Sequence, residues 1–221
     1  MKQTEVVKKA LKPVVFAVAL APAAMLVFDA AAGAFGPNPV EEVTHRTGIA
    51  AIVLLLVTLA ITPLRKLLRV GALVQFRRML GLLAFFYASL HVMTYVVDQT
   101  YLSGLGVSPA SFIEDVLDRP YITMGFVAFL LLVPLAVTST RGWVKRMGGK
   151  RWQRLHRLVY LAAVAAAVHF FWLVKADMTR PLVVAGALTV LLGFRLAARC
   201  LISSPDSESN TEIESEAVFR T

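Results

Sequence analysis

The sequence has little of what usually stabilises a small secreted domain or brings a nucleotide to an enzyme. It contains one cysteine, Cys200, among 221 residues, so no intramolecular disulfide can form. It has no GxGxxG pattern, the fingerprint of a dinucleotide-binding domain. Only 17% of its residues are charged. These absences exclude a disulfide framework and give no support to a soluble nucleotide-binding domain.

What the sequence does have is long apolar stretches. Hydrophobic residues make up 57% of the chain, and the mean hydropathy is +0.69. Runs of about 20 apolar residues can cross a membrane as helices, because lipid cannot satisfy bare backbone amides and carbonyls. Such runs cover roughly residues 13–32, 46–62, 79–97, 120–138, 155–174 and 181–199. The sequence therefore predicts an all-α integral membrane protein, with a six-helix transmembrane bundle over residues 13–200.

The net charge of +9 is distributed by loop and not concentrated on one face with aromatic residues, which argues against a nucleic-acid partner. The N-terminal segment, the second loop and the fourth loop are basic, whereas the other loops are acidic or nearly neutral. By the positive-inside rule, both termini and the basic loops are cytoplasmic, and the acidic loops face the periplasm or the cell exterior. Membrane lipid is thus an expected partner.

The two ends of the chain differ from the bundle. Residues 1–12 are predicted to be a cytoplasmic segment, although the small residues AAAGA leave a cleaved signal peptide as an alternative for the N-terminal region. Residues 201–221 are polar and acidic, so they are predicted to form a disordered cytoplasmic tail.

Two histidines fall at matching depths on different predicted helices. His91 precedes Asp98 by seven residues, or about 10 Å, and His169 precedes Lys175 by six residues, or about 9 Å. The third and fifth runs cross in the same direction, so both imidazoles lie in the periplasmic half. An ionisable side chain at that depth indicates a functional site. The pair can supply both axial bonds to a haem iron among the apolar residues AFFYASLHVM and VHFFW.

Plainer interpretations stay open for these residues. A neutral histidine can simply bond to a neighbouring helix and stabilise a bundle. The aromatic residues near the pair, including Phe85 and Phe170, most often serve packing alone. It is the match between two helices that favours a cofactor over packing.

His156 lies thirteen residues before His169, a rise of about 19.5 Å, which suits two stacked haems. A second haem needs a partner at the same depth on the third helix, where the sequence offers Arg77 and Arg78 in place of histidine. In a strict α-helix the two histidines would also lie about 140° apart. The number of haems is therefore open. The chain has no CxxCH motif, so covalent c-type haem is excluded.

Further polar side chains are candidates for contact with a quinone, a flavin phosphate or a haem propionate. Arg77, Arg78 and Arg151 form a basic group with His156 near the cytoplasmic surface, but headgroup contact explains them equally well. His45, in THRTG, is an interfacial histidine or part of a quinone or partner site.

Seven segments occur in a characteristic order: ITPLR (61–65), RRMLGL (77–82), the LH of His91, RPYITMG (119–125), TSTRG (138–142), KRWQRLHRLVYL (150–161) and VHFFWLVK (168–175). This ordered set resembles the MsrQ family, the haem-binding membrane subunit of the bacterial periplasmic methionine sulfoxide reductase. The resemblance extends from about residue 10 to residue 200 and excludes the acidic tail. More distantly, the chain is similar to ferric reductase and NADPH oxidase membrane domains.

The resemblance implies a membrane electron carrier in the bacterial inner membrane. Members of the family hold haem b, take electrons from respiratory quinone and pass them to a periplasmic molybdopterin reductase that repairs oxidised methionine. FMN is also associated with the family. The family's haem ligands fall on His91, His156 and His169. The chain would then be the electron-transfer subunit of an oxidoreductase complex and not the sulfoxide-reducing subunit.

Two other functions remain as alternatives. A transmembrane metal (ferric) reductase would use the same haem arrangement, but it normally needs a soluble nucleotide-binding domain. A non-redox proton relay or transporter could use His91 and His169, yet Asp29 is the one acidic residue within the apolar runs, and such relays usually need carboxylates.

Overall fold

The computed structural model describes residues 10–99, 109–174 and 177–200. Over these ranges the regular structure is helical throughout. A short 3-10 helix, Gly71–Leu73, precedes α3. The predicted tail 201–221 and most of the predicted segment 1–12 lie outside the described residues. The helices are α1 (Lys12–Ala32), α2 (Pro39–Leu68), α3 (Val74–Val97), α4 (Pro109–Asp118), α5 (Pro120–Val137), α6 (Arg141–Met147), α7 (Gly149–His156), α8 (Leu158–Leu173) and α9 (Thr179–Cys200).

Six helical segments are long and apolar enough to span a membrane, which confirms the predicted all-α, six-span class. Their bounds differ from the predicted ones mainly at polar ends, since hydropathy does not register the helical turns that continue beyond the apolar stretch. The predicted run 46–62 lies within a 30-residue helix, and the run 155–174 is interrupted at Arg157. The segments are Lys12–Ala32, Pro39–Leu68, Gly71–Val97, Pro120–Val137, Gly149–Leu173 and Thr179–Ala198.

Local chemistry explains why α2 begins well before its apolar stretch. The side-chain carbonyl of Asn38 accepts a hydrogen bond from the Glu41 amide at 3.2 Å, and Pro39 occupies the first turn. Glu41 and Glu42 place negative charge near the helix N-terminus, where the helix dipole favours it. The helix ends at Arg69, whose φ of 56° is left-handed. These polar residues fix the two ends of α2.

Two antiparallel helix pairs, α2 with α3 and α5 with α8, form the centre of the bundle. The main apolar core between them contains Leu59, Ala84, Leu135 and Ala162. Many side chains on the outside are also apolar, such as Val27 and Val190, each 70% exposed. An apolar exterior around an apolar core is what a lipid-embedded bundle requires.

A buried tyrosine helps to attach helix α1 to this centre. Tyr87 of α3 is fully buried, donates its hydroxyl to the Ala19 carbonyl at 2.9 Å, and accepts from the Ala23 amide at 3.0 Å. The phenol thus lies between a carbonyl and an amide that would bond to each other in a regular helix. Pro22 lies inside the same turn. A side chain inserted into the helical ladder beside a proline is an expected kink site.

The bundle has two chemically different ends. We define the basic end as the end where α2 meets α3 and where α5 meets α6; it carries Arg65, Lys66 and Arg69. The acidic end is the opposite end, where α1 meets α2 and where α8 ends. There Arg46 binds Asp29 of α1 and Glu42 of α2, and so links α1 to α2.

Candidate functional site

The rings of His91 and His169 face each other within the acidic half of the bundle. His91 belongs to α3 and His169 to α8, and their ring centroids lie 6.1 Å apart at an interplanar angle of 76°. Both side chains are half-buried. Lys175, from which the depth of His169 was judged, lies outside the described residues. The structure brings together the two histidines that the sequence placed at one depth.

Each ring is oriented by a backbone carbonyl of the helix beside it. The Nδ1 of His91 lies 2.8 Å from the Thr44 oxygen of α2, and the Nδ1 of His169 lies 2.6 Å from the Tyr121 oxygen of α5. A carbonyl can only accept, so each Nδ1 carries the proton and donates it. The Nε2 of each ring is then the unprotonated nitrogen. This is the usual way that a second interaction fixes a metal-binding imidazole.

A glycine makes room for each ring. A Cβ on Gly48 of α2 would lie 3.0 Å from the Nδ1 of His91, and a Cβ on Gly125 of α5 would lie 2.9 Å from the Nδ1 of His169. Both distances are shorter than ordinary van der Waals contact. Each glycine lies four residues after the residue whose carbonyl accepts, Thr44 or Tyr121, so carbonyl and glycine share one helix face. The same arrangement therefore occurs twice.

The separation of the two rings would allow both imidazoles to hold one metal ion. An ion bound at about 2 Å to each of two imidazole nitrogens separates the ring centroids by roughly 6 Å, close to the 6.1 Å between His91 and His169. Among the described residues, no group of three or more His, Cys, Asp or Glu side chains could hold an ion by itself. A cofactor that supplies the remaining ligands, as a porphyrin does, suits a site built from two neutral imidazoles.

The aromatic residues near the histidines have mixed surroundings. Phe85 stacks on Phe129 of α5 with centroids 5.7 Å apart, which joins α3 to α5. Phe86 and Phe171 are each 41% exposed, whereas Phe170 is buried against Ile52. Most of these rings therefore serve packing or face lipid.

His156 lies at the end of α7, toward the basic end of the bundle. Its ring stacks on Trp152 with centroids 3.8 Å apart, and its Nδ1 lies 3.1 Å from the Trp152 oxygen. Trp152 is itself fixed by a 2.9 Å bond from its indole nitrogen to the Thr138 oxygen. The Nε2 of His156 is buried and forms no hydrogen bond within the described part of the chain. One ring nitrogen of His156 therefore forms no hydrogen bond among the described residues, although the Leu135 carbonyl lies close to the same ring.

His156 and His169 do not lie on one continuous α-helix in the structure. The amides of Arg157 and Tyr160 bond to carbonyls three residues earlier, which is 3-10 geometry, and α7 and α8 are separate helices. A 3-10 residue turns about 20° further than an α-helical residue. This extra rotation reduces the angle of about 140° expected for a continuous α-helix.

The structure separates the other candidate contacts. Arg77 lies within electrostatic range of His156. Arg78 instead lines a cavity of about 530 Å³ between α1 and α3, together with Lys12. Arg151 is exposed on α7. His45 is exposed at the acidic end, within electrostatic range of His91. Of the three arginines, only Arg77 is thus placed beside His156.

Sequence reasoning overlooked the residues that position the histidines. Thr44 and Tyr121 act through their carbonyls, which carry no signature in the sequence. Gly48 and Gly125 lie in THRTG and RPYITMG, segments already noted for other reasons. The sequence signal for these positions was a glycine in each of the two helices that pack against a histidine-bearing helix. Arg195, a charged residue within the last apolar run, was also overlooked.

A helical bundle with paired inward histidines defines a membrane protein of the ferric reductase type, and residues 47–167 match the family described as "Ferric reductase like transmembrane component". The chain is 48% identical over 202 residues to the protein-methionine-sulfoxide reductase heme-binding subunit MsrQ of Xanthomonas axonopodis pv. citri, covering 89% of this chain and 90% of that protein. It is 44% identical to that of Ralstonia nicotianae, with 85% of each chain covered. The chain belongs to the MsrQ family and is a multi-pass protein of the bacterial inner membrane.

Proposed function

We propose that the chain is the haem-binding, electron-transfer subunit of a protein-methionine-sulfoxide reductase system. The observation that carries this proposal is the pair His91 and His169, 6.1 Å apart with both Nδ1 atoms bound to carbonyls. Haem b, when bound, supplies one-electron redox chemistry at its iron. The sulfoxide-reducing chemistry belongs to the partner subunit.

The residues of the site have distinct roles in this proposal. His91 and His169 would hold the iron through Nε2. Thr44 and Tyr121 are positioning residues, because their carbonyls keep the proton on Nδ1 and fix the plane of each ring. The surrounding apolar helices exclude water and lower the local dielectric, which is how a protein tunes a haem potential.

The proposed electron path runs from the membrane to the periplasm. We propose that the basic end faces the cytoplasm, following the positive-inside rule, so that His91 and His169 lie in the periplasmic half. The electron donor is respiratory quinol dissolved in the bilayer. The acceptor is a periplasmic molybdopterin-containing methionine sulfoxide reductase that docks at the acidic end. FMN, which the resemblance also implies, is a further candidate cofactor.

His156 is proposed as a further haem ligand. Its buried Nε2 forms no hydrogen bond within the described residues, which supports this role over simple packing. Arg77, which lies near His156, is the proposed contact for a propionate or another anionic group. Arg78, Arg151 and His45 remain proposed contacts for quinone, flavin or partner.

The reduced-minus-oxidised visible spectrum of the purified full-length protein, with haem quantified per chain, tests the proposal. We expect a low-spin b-type spectrum that is lost in His91→Ala and in His169→Ala. Val190→Ala is the control, because this side chain is 70% exposed on the outside of the bundle and should leave the spectrum unchanged. Loss of haem in His156→Ala without loss of the His91/His169 absorption would identify a second site. Folded protein without haem would refute the electron-transfer function.

A non-redox proton relay is the second candidate function, and the structure gives it less support. Asp29, the one acidic residue in the apolar runs, binds Arg46 at the acidic end and not the histidine pair. The same spectrum separates the two functions, because a proton relay needs no cofactor absorbance.

A further inference from the structure

Arg195 of α9 binds a carbonyl that a proline has released. Pro63 in α2 has no amide proton, so the Leu59 carbonyl four residues earlier lacks its helical donor. The Nη2 of Arg195 donates to the Leu59 oxygen at 2.8 Å. An arginine within a membrane-spanning helix is costly and indicates a functional site. This bond connects Arg195 of α9 to α2. The second partner of Arg195 lies on another helix, α8.

That second partner is Tyr160, near the start of α8. The Nη1 of Arg195 donates to the Tyr160 hydroxyl oxygen, and the guanidinium carbon lies 4.9 Å from the centroid of the tyrosine ring. The hydroxyl oxygen therefore acts as an acceptor, while its own proton has no acceptor among the residues that the structure describes. Tyr160 is half-buried, and a hydroxyl that is largely shielded from water usually has a partner. The Tyr160 hydroxyl can therefore donate a hydrogen bond to a ligand.

A cavity of about 200 Å³ adjoins this pair. It is lined by Tyr160, Leu192, Arg195 and Leu196. Leu196 is 62% exposed, so the cavity opens sideways toward lipid and not along the bundle axis. Its volume is below the roughly 300–1,000 Å³ of pockets that enclose drug-sized molecules. A single substituted ring fits such a space, and any long chain attached to the ring would stay in the membrane.

We propose that this cavity binds the headgroup of a membrane quinone, with one ring carbonyl accepting from the Tyr160 hydroxyl. This inference rests on the proposed function, which requires a quinol donor. The ligand is a neutral ring with carbonyl oxygens at its edge. Leu192 and Leu196 contact the ring faces, Tyr160 and Arg195 supply the polar edge, and the isoprenoid chain leaves through the lipid-facing opening.

The position of Tyr160 suits electron delivery to the histidines. Tyr160 lies four residues after His156, a rise of about 6–8 Å through the 3-10 turn, and nine residues before His169, a rise of about 13.5 Å. A ring bound beside Tyr160 therefore lies at a depth between the two histidines of the same helical segment. The cavity also faces the membrane, from which a quinone must arrive.

The larger cavity between α1 and α3 has different chemistry. Lys12 and Arg78 lie at its polar side, and Phe16, Met79 and Leu82 form apolar walls. Two cations from different helices suit an anionic headgroup better than a neutral quinone. The two cavities therefore predict different ligands, and a quinone probe can distinguish them.

Photolabelling of the full-length protein in lipid nanodiscs with an azido-ubiquinone tests the proposal. We expect the label on peptides from α8 and α9, and we expect decylubiquinone to compete with it. Leu192→Trp fills the cavity and should abolish this labelling without changing the haem spectrum. Leu182→Trp, on an exposed leucine of the same helix that does not line the cavity, is the matched control.

Tyr160→Phe tests the hydrogen bond itself. Loss of one hydrogen bond should weaken competition by decylubiquinone roughly 5–10-fold. Label on peptides that contain Lys12, Arg78 or Arg151 would overturn the proposed location, yet leave quinol as the donor. Haem-loaded protein that takes no specific label would overturn the quinone site and the quinol donor together, whereas the haem-binding function would stand on its own spectrum.

Discussion

Gly125→Ala is the sharpest test of how the second histidine is held. In the structure, an added Cβ would lie 2.9 Å from the Nδ1, 3.0 Å from the Cε1 and 3.3 Å from the Cγ of His169. Carbon atoms in contact normally lie about 3.5–4.0 Å apart, so the ring must move by roughly 0.5–1 Å. The Nδ1 now lies 2.6 Å from the Tyr121 oxygen. The same movement takes this distance to or beyond the about 3.2 Å limit of a good hydrogen bond.

The expected cost follows from that lost bond. A buried donor left without its acceptor costs about 1–3 kcal/mol, and alanine gains back about 1 kcal/mol in helix propensity over glycine. Loss of a group that orients a metal ligand typically lowers metal affinity by about 10–100-fold. We therefore expect Gly125→Ala to retain its fold but lose haem on dilution, with a shifted spectrum and midpoint potential in the haem that remains.

The assay is haem content per chain and potentiometric titration of detergent-purified protein. Gly186→Ala is the control, because this glycine lies within α9 and an added Cβ would meet no atom within 4 Å. The control should match the unaltered protein or be slightly more stable. Gly125→Ala with unchanged haem content, spectrum and potential would refute the idea that Gly125 makes room for the His169 ring.

Two further substitutions test neighbouring contacts. Tyr87→Phe removes the hydroxyl between the Ala19 carbonyl and the Ala23 amide, so we expect a stability loss of about 0.6–2 kcal/mol in thermal unfolding. A variant as stable as the original protein would show that the two backbone groups simply bond to each other. Trp152→Phe removes the indole bond to Thr138 and should cost about 1 kcal/mol while sparing the His91/His169 absorption. Loss of that absorption would contradict the separation of His156 from the pair.

The sequence was sufficient to predict the fold class and the common level of His91 and His169 along the bundle. Both follow from one-dimensional quantities, because hydropathy marks the spans and a fixed rise per residue converts position into depth. Helix ends were harder to predict, since the turns before residue 46 are polar and hydropathy averages hide them. Depth alone therefore placed His91 and His169 at one level, but it could not show that their rings face each other.

What the sequence could not supply is rotation about the helix axis and the identity of backbone partners. The tightened turn at Arg157 changes the angle between His156 and His169, and no residue pattern in that segment specifies it. The Leu59 carbonyl becomes an acceptor only because Pro63 follows four residues later and Arg195 reaches it from another helix. Such contacts depend on three-dimensional packing, so they become visible only once the helices are placed.

The two histidines are held by the same device on two helix pairs. In one pair α2 provides the carbonyl and the glycine for His91 on α3, with a spacing of 47 residues between acceptor and ring. In the other pair α5 provides both for His169 on α8, with a spacing of 48 residues. Because each ring is oriented by a helix other than its own, moving one ligand requires moving a helix pair. A metal ion between the rings would therefore connect four helices, α2, α3, α5 and α8, and loss of either carbonyl contact should loosen both halves of the site.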